Sequence, residues 1–278
     1  MNFPARLLRA IPLAPAILAA FACGRIAPPR SIQVSVPHQV LDLDPHSRNP
    51  LADLRVRQAM RLALDVKEIL GRGTANHGFV ATQYVPPDVI GYNPSLTATA
   101  RDLAASRRLL AEAGYPNGID LTLDDRSDTW NPIVDEIVRE LAEAGVRLTV
   151  HRWKKAEFLE RIDKGLYDLH LLGWICSSGE SAEIFESSLY TREPNGGLGR
   201  DNGLGYSNSA LDALIEQMLT TIDSGARVEL EKRAMAIAVA DLPLIPLYVQ
   251  EDRYALSNDV SWEPRADGEI WISDVSLR

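Results

Sequence analysis

Two stretches of this sequence carry residue types that could bind a small molecule. The first, residues 124–131, combines Arg126, whose guanidinium could clamp a carboxylate, with Trp130 as an aromatic wall. The second, residues 173–180, brings together Trp174, Cys176 and Ser177 before an expected helix N-terminus, where backbone donors could hold a polar group. These five residues are the candidate ligand-binding residues.

Three of these candidates also have a structural interpretation that the sequence leaves open. Arg126 could belong to a solvated polar loop, since charged loops are often only that. Trp174 could be part of the core, because tryptophan is mostly buried whatever its role. Cys176 could be an inert buried thiol.

Catalytic and metal chemistry find little support in the sequence. The five histidines are scattered, and no His-x-x-x-His or Cys-x-x-Cys spacing indicates a metal site. Nucleophile elbows and phosphate-binding glycine loops are absent from the sequence. One alternative pairs Cys176 as a nucleophile with His170 as its base. We otherwise expect a protein that is not an enzyme and has no cofactor.

The elements around these stretches predict an α/β fold. Strands are expected at 119–123, 146–151 and 168–174, with helices at 132–144 and 155–164 between them. Such alternation builds a parallel sheet through right-handed crossovers. Ligands collect at the carboxyl ends of strands in these sheets, which is where both candidate stretches begin.

The remaining elements complete this picture. Residues 53–64 predict a helix whose apolar stripe leaves Arg55, Arg57 and Arg61 outside. Residues 71–96, rich in Gly and Pro, predict a loop that wraps the surface. Further helices are expected at 102–113, 182–189, 209–222 and 226–240. Pro243 and Pro246 predict an edge position for a strand at 244–249.

The N-terminus and the charge indicate export. Arg6 and Arg9 precede an apolar stretch, and Ala20 and Ala22 fit cleavage before Cys23, which predicts a signal peptide at 1–22 and possible lipidation of Cys23. The alternative is a hydrophobic start on a cytosolic protein. We expect a tether at 23–39 and a folded lobe at 40–278. The net charge of −9 argues against nucleic acid or an anionic membrane as a partner.

The string at 49–59, NPLADLRVRQA, resembles a segment of the family-5 extracellular solute-binding proteins, the dipeptide and oligopeptide binders. The similarity continues through 108–118, the Gly173-Trp174 pair, 205–208 and 243–248. It implies a periplasmic-binding-protein-like lobe, type II and of the oligopeptide-binding class, with a mostly parallel sheet flanked by helices. The lobe would include a returning segment at 244–278, and most of the family's first lobe would be missing.

The resemblance also implies a function. The chain would be an exported, periplasmic or surface-bound component that delivers a peptide or small-molecule ligand to an ABC permease, and binding would be weak without the first lobe. The alternative is an extracytoplasmic scaffold whose exposed face docks a partner polypeptide. Ser177 stands where family members that grip a peptide amine have aspartate, which puts amine recognition in doubt and makes Glu180 a candidate substitute acid.

Overall fold

The computed structural model describes residues 30–35, 50–73, 78–126, 132–203, 205–251, 254–265 and 270–277. The predicted signal peptide and Cys23 lie outside these ranges, as does Trp130. None of the helices in the described ranges combines the length and the hydropathy needed to cross a bilayer.

The helices largely follow the sequence pattern. They are α1 (Leu54–Ala63), α2 (Val66–Gly73), α3 (Leu103–Glu112), α4 (Pro132–Ala144), α5 (Lys155–Asp163), α6 (Ala182–Ile184, continued by a π turn at Phe185–Leu189), α7 (Ser209–Thr220) and α8 (Ser224–Asp241). Short 3-10 turns lie at Pro50–Ala52 and Ile272–Asp274. The side chains of Asp53, Asp102, Asn208 and Asp223 cap α1, α3, α7 and α8. Each cap satisfies backbone donors and contributes about 1 kcal/mol.

In the described residues, six strands form the main sheet, in the order β2-β6-β1-β5-β3-β4. They are β1 (Arg30–Ser35), β2 (Phe79–Val80), β3 (Ile119–Arg126), β4 (Val146–Trp153), β5 (Leu169–Trp174) and β6 (Leu244–Gln250). A small second sheet pairs β7 (Val260–Ser261) with β8 (Ser276–Leu277).

The direction of the strands confirms the mostly parallel sheet. Strand β3 pairs in parallel with β4 and with β5. Strand β1 is antiparallel to both β5 and β6, so β6 runs in the same direction as β5. Four of the six strands therefore share one direction, and β1 and β2 oppose them.

The structure corrects two predictions about this sheet. Residues 30–35, predicted to belong to a tether, form β1 between β5 and β6, aligning Ser31 with Trp174 on one side and with Val249 on the other. The prediction was wrong there because nearby prolines hid a short strand that supplies backbone bonds to two neighbours. Strand β6 is also not at an edge. Pro246 is tolerated because it lies beside a register shift in β1 and beyond the end of β2.

Two hydrophobic cores lie against the sheet. Alternation along β5 sends Leu169 and Leu171 into the first core, which α1 to α4 cover. His170, Leu172 and Trp174 occupy the other face, where Phe158 of α5 packs edge-on to His170. The second core is built mainly from α6 to α8. The sheet therefore has helices on both faces, as the predicted α/β class requires.

The burial of the 71–96 segment corrects a further prediction. Ala81, Gln83, Tyr84 and Val85 are buried rather than wrapped over the surface. The hydroxyl of Tyr84 donates to the carbonyl of Ala238, 3.0 Å away. An irregular segment can lie inside when its polar groups find partners, as the Tyr84 hydroxyl and the Gln83 amide do.

The arginines of α1 also differ from expectation. Arg55 is exposed as predicted, but Arg57 and Arg61 are buried, at 3% and 5% exposure. Arg57 donates to the carbonyls of Asp241, Leu51 and Ala52 at 2.8 to 3.0 Å. The apolar stripe did not reveal this because one carbonyl partner of each arginine, Asp241 for Arg57 and Thr99 for Arg61, lies far away in sequence.

Candidate ligand-binding site

The candidate residues gather at the carboxyl edge of β3 and β5. Arg126 is the last residue of β3 and is in register with Trp153 on β4. Trp174 is the last residue of β5, and Cys176 and Ser177 follow in the next loop. The carboxyl ends of parallel strands share one edge of the sheet, so the structure places these four residues on the same side of the molecule.

A cavity of about 270 Å³ lies against Trp174. Strand β5 contributes His170, Leu172 and Trp174 to its wall, and Tyr206 lies among the lining residues from the C-terminal half. The rest of its lining is Leu159, Ile162, Asp163, Tyr167, Ile184, Ser188, Arg200, Asp201, Asn202, Gly203, Pro243 and Leu244. Of the four predicted site residues in the described ranges, Trp174 alone lines the cavity. An apolar pocket with a few polar groups is the usual form of a small-molecule site.

His170, which lines this cavity, carries no charge. Its ring lies edge-on to Tyr167, with the ring centres 4.4 Å apart. Burial lowers the pKa of His170 to about 3, so the imidazole is neutral at physiological pH. The cavity wall around β5 is therefore aromatic and without charge.

The loop after β5 holds an acidic group that the sequence did not single out. The hydroxyl of Ser177 donates to Glu183 Oε1 at 2.9 Å, and the amide of Ser178 donates to Glu183 Oε2 at 2.8 Å. Burial opposes ionisation of Glu183, but the hydrogen bonds from Ser178 and Ser177 outweigh it and lower the pKa of this carboxyl. An anion therefore lies beside Ser177, supplied from the first turn of α6.

Glu180, the expected substitute acid, is already engaged. Its carboxylate forms an ion pair with Arg227, with the nearest atoms 2.9 Å apart. The backbone around it is tied to Ile90, which donates to Gly179 O and accepts from the Ser181 amide. Glu180 thus anchors the loop, and Glu183 is the acid next to Ser177.

The base of the loop is fixed by a buried contact. Ser181 Oγ donates to Glu231 Oε2 at 2.8 Å, and both residues are fully buried. Gly91 lies beside them with a φ of +88°, and a Cβ there would come within 2.1 Å of the Glu231 carboxylate. Only glycine fits this approach.

Cys176 has the environment of an inert thiol. Its sulfur donates to the carbonyl of Glu180 at 3.2 Å. Burial raises the pKa of the thiol, which is the opposite of what an activated cysteine needs. These contacts favour the structural interpretation of Cys176.

A second polar cluster lies near the ends of β3 and β4. Asp124 is buried and accepts from Arg161 Nε at 2.7 Å, while His151 Nδ1 lies 3.8 Å from its other oxygen. The guanidinium of Arg161 covers the ring of Trp153, 4.4 Å from its centre. In the sequence, the one sign of this ion pair is the adjacent acids Asp124 and Asp125 near the end of an apolar strand. In the part of the chain that the structure describes, His, Cys, Asp and Glu form no group able to hold a metal ion.

The fold and the site define a solute-binding protein lobe, and the sequence comparisons identify its family. The model of the bacterial extracellular solute-binding proteins, family 5 (middle region), matches residues 29–196, which is more than half of the chain. The chain belongs to this family.

Similar proteins include binders of several compounds. Heme-binding protein A of Haemophilus influenzae is 28% identical over 204 residues, which are 71% of this chain and 37% of that protein. Glutathione-binding protein GsiB of Escherichia coli K12 is 29% identical over 212 residues, 74% of this chain and 41% of that protein. The chain thus spans about two fifths of the length of these relatives.

A solved structure confirms the fold. The periplasmic binding protein DppA from Helicobacter pylori, solved in complex with the peptide STSA, superposes with a TM-score of 0.79 at 20% identity. The match covers 92% of this chain and 48% of DppA. At this identity the likeness shows a shared fold.

Proposed function

We propose that this chain is an exported solute-binding component of an ABC importer for peptides or peptide-like compounds, and that it acts without catalysis. The observation that carries the proposal is the cavity of about 270 Å³ that runs along β5 to Trp174, in a family-5 lobe. Relatives named for haem and glutathione support a small organic ligand.

The site suits a ligand with an apolar part and a cationic group. Trp174, Leu172 and Tyr206 would contact the apolar part. Glu183 would receive an ammonium group, because a carboxylate has about four acceptor positions and Ser177 and Ser178 occupy two of them. Arg126, at the same edge, would meet a ligand carboxylate. In this proposal Glu183, and not Glu180 as the sequence suggested, is the acid that binds the ammonium group of the ligand.

A chemical step is the less favoured interpretation of the same loop. The alternative of Cys176 with His170 needs a thiol of lowered pKa and a basic imidazole. Burial instead raises the pKa of Cys176 and lowers that of His170 to about 3. Binding requires neither residue to react.

The proposed place of action is outside the cytoplasm. The family is extracellular by its description, and the N-terminal pattern before Cys23 favours export with possible attachment to lipid. The partner would be an ABC permease that receives the ligand. We expect the 278-residue chain alone to bind weakly, with a Kd on the order of 0.1–1 mM, because lining residues such as Leu159 and Leu172 remain exposed, whereas two-lobed binders close over their ligands.

Calorimetric titration with a panel of dipeptides, glutathione and haem tests this proposal. Trp174→Ala should weaken binding by about 10-fold or more, because burying an apolar side chain of this size contributes about 1.5–3 kcal/mol. The matched control is Trp271→Ala, since Trp271 is 55% exposed and distant in sequence from the site. Equal affinity in the two variants would exclude the cavity beside Trp174 as the binding site.

The role of Glu183 is tested with the same assay. Glu183→Gln should reduce the affinity for free dipeptides and leave N-acetylated dipeptides unaffected, since only the free amine carries a charge. Glu193→Gln, on the loop after α6, serves as a control of equal charge change. If both variants bind free and acetylated peptides alike, ammonium recognition by Glu183 is wrong.

A second candidate function is the extracytoplasmic scaffold. The observation that favours it is an exposed apolar group near the C-terminus, where Trp271, Ile272 and Leu277 are 55%, 71% and 71% exposed. Large apolar side chains gathered at a surface often mark a protein contact. In this proposal a partner polypeptide covers the returning segment.

A further inference from the structure

A second cavity, of about 290 Å³, lies between α1, α3, the segment that follows β2 and the C-terminal end of α8. It shares no lining residue with the cavity beside Trp174. Its lining is Gln58, Arg61, Leu62, Thr82, Thr97, Thr99, Leu109, Val239, Ala240, Leu242 and Pro246. Thr97 and Thr99 are exposed, so a small molecule can enter from their side.

Arg61 is the charged group in the wall of this cavity. It is 95% buried, and its Nη2 donates to the carbonyl of Thr99 at 3.2 Å. Its Nη1 is buried, and no residue in the described ranges accepts a hydrogen bond from it. Among those residues, none of the acidic side chains lies within ion-pair distance of Arg61. Within the described ranges the guanidinium is therefore buried without an anionic partner.

Burying the Arg61 charge costs desolvation free energy that its one hydrogen bond to Thr99 does not offset. Arginine stays charged in proteins, so burial cannot be relieved by loss of a proton. Arg61 lies in the last turn of α1, where the helix dipole favours a cation, but that effect is several-fold smaller than the cost of burying an unpaired charge. Arg57, one turn earlier, shows the contrast, because three carbonyls accept from its guanidinium.

We propose that this cavity binds a small organic carboxylate through Arg61. The carboxylate would take the planar fork of the guanidinium, a geometry that arginine matches with two parallel hydrogen bonds. The hydroxyls of Thr82 and Thr97 would lie near its oxygens. The hydrocarbon part would contact Leu62 and Leu109, since more than half of the lining residues are apolar.

The lining also selects against other anions. One guanidinium neutralises one negative charge, so a phosphate dianion would bring an uncompensated charge into a mostly apolar wall. A neutral alcohol would fill the same space but leave Arg61 unpaired. This site goes beyond the proposed uptake function and does not depend on it.

The test uses the full 278-residue chain and three probes: hexanoate, hexanol and inorganic phosphate. Hexanoate should raise the Tm in proportion to the logarithm of its concentration, as selective binding to the folded state requires. Hexanol and phosphate should give at most a small fraction of that shift. Equal shifts with hexanol would reduce the site to an apolar cavity, and equal shifts with phosphate would overturn the carboxylate assignment.

Variants of α1 assign the effect to Arg61. Arg61→Met removes the charge while keeping an apolar stem, so it should weaken hexanoate binding at least 10-fold in calorimetry and leave the Tm without ligand unchanged or higher. Arg55→Met is the matched control, because Arg55 is an exposed arginine on the same helix, and it should keep the full hexanoate shift. If Arg61→Met lowers the Tm and hexanoate has no effect on the wild type, Arg61 is only a structural donor to Thr99.

Two further variants keep the outcome decisive. Should Arg61→Met fail to fold, Arg61→Lys retains the charge without the planar fork and should bind hexanoate several-fold more weakly. Unchanged affinity in Arg61→Lys would overturn the proposal. Trp174→Ala should leave hexanoate binding intact, so failure of this proposal and failure of the proposed uptake function are distinguishable.

Discussion

Replacing Arg57 should destabilise the fold far more than replacing its neighbour Arg55. Arg57 makes four hydrogen bonds to three carbonyls, those of Asp241, Leu51 and Ala52. Burial lowers its pKa to about 10, so the guanidinium remains charged at neutral pH and every bond is charge-assisted. Arg57→Met would leave the three carbonyls without this donor.

The magnitude follows from those carbonyls. A buried acceptor left without a partner costs about 1–3 kcal/mol, and removing the buried charge recovers some desolvation, so the lower end applies. We expect Arg57→Met to lower the free energy of unfolding by about 3 kcal/mol, or the Tm by about 6–12 °C for a chain of this size. Arg55→Met should cost much less, because its ion pair with Asp53 is exposed and screened by solvent.

Urea denaturation followed by far-UV circular dichroism gives these free energies. Arg57→Lys adds a useful intermediate, since one ammonium group cannot reach all three carbonyls. The expected order of stability is wild type, Arg55→Met, Arg57→Lys and then Arg57→Met. A loss in Arg57→Met no larger than in Arg55→Met would refute the assignment of Arg57 as the donor that joins α1 to the end of α8.

Two other predictions concern a buried acid and an exposed apolar group. Burial raises the pKa of Glu231, and such a carboxyl stabilises the fold below its unfolded value of 4.5 and loses that contribution as the pH rises. Glu231→Gln keeps an acceptor for Ser181 but cannot ionise, so the free energy of unfolding should decline less above pH 4.5 than in the wild type. Glu229→Gln, which replaces an exposed acid on the same helix, should keep the wild-type decline. Equal pH profiles in the two variants would contradict this prediction. Replacing Trp271 and Leu277 together by serine should weaken binding of a purified, identified partner polypeptide at least 10-fold, and unchanged binding would count against the scaffold.

The sequence predicted the helices and parallel strands well where local signals were strong. The helix α4 begins and ends where Pro132 and Gly145 indicated, because these residues set the backbone at helix ends. Strand β1 was missed because its stability comes from β5 and β6, which lie more than 130 residues away in sequence. Local propensity cannot report a partner at that distance.

The position of the proposed site follows from a general rule about parallel sheets, whereas its composition does not. The rule that ligands gather at the carboxyl ends of strands pointed to Trp174, which does line the cavity. Glu183 could have been found only by asking which acid falls in the first turn of the helix after Ser177. Tyr206, another wall of the cavity, reaches it through the packing of the second core, which no local pattern encodes.

The Arg57 network also links the two cores to the cavity. Asp241, whose carbonyl accepts from Arg57, uses its carboxylate to accept from the hydroxyl of Tyr206 at 2.9 Å and from Asn208 at 2.8 Å. Burial raises the pKa of Tyr206, so it stays a donor at any physiological pH. Because the ring of Tyr206 lines the cavity beside Trp174, the end of α8 fixes one cavity wall while α1 fixes the end of α8. One wall of the proposed ligand site is therefore held in place through the buried charge of Arg57.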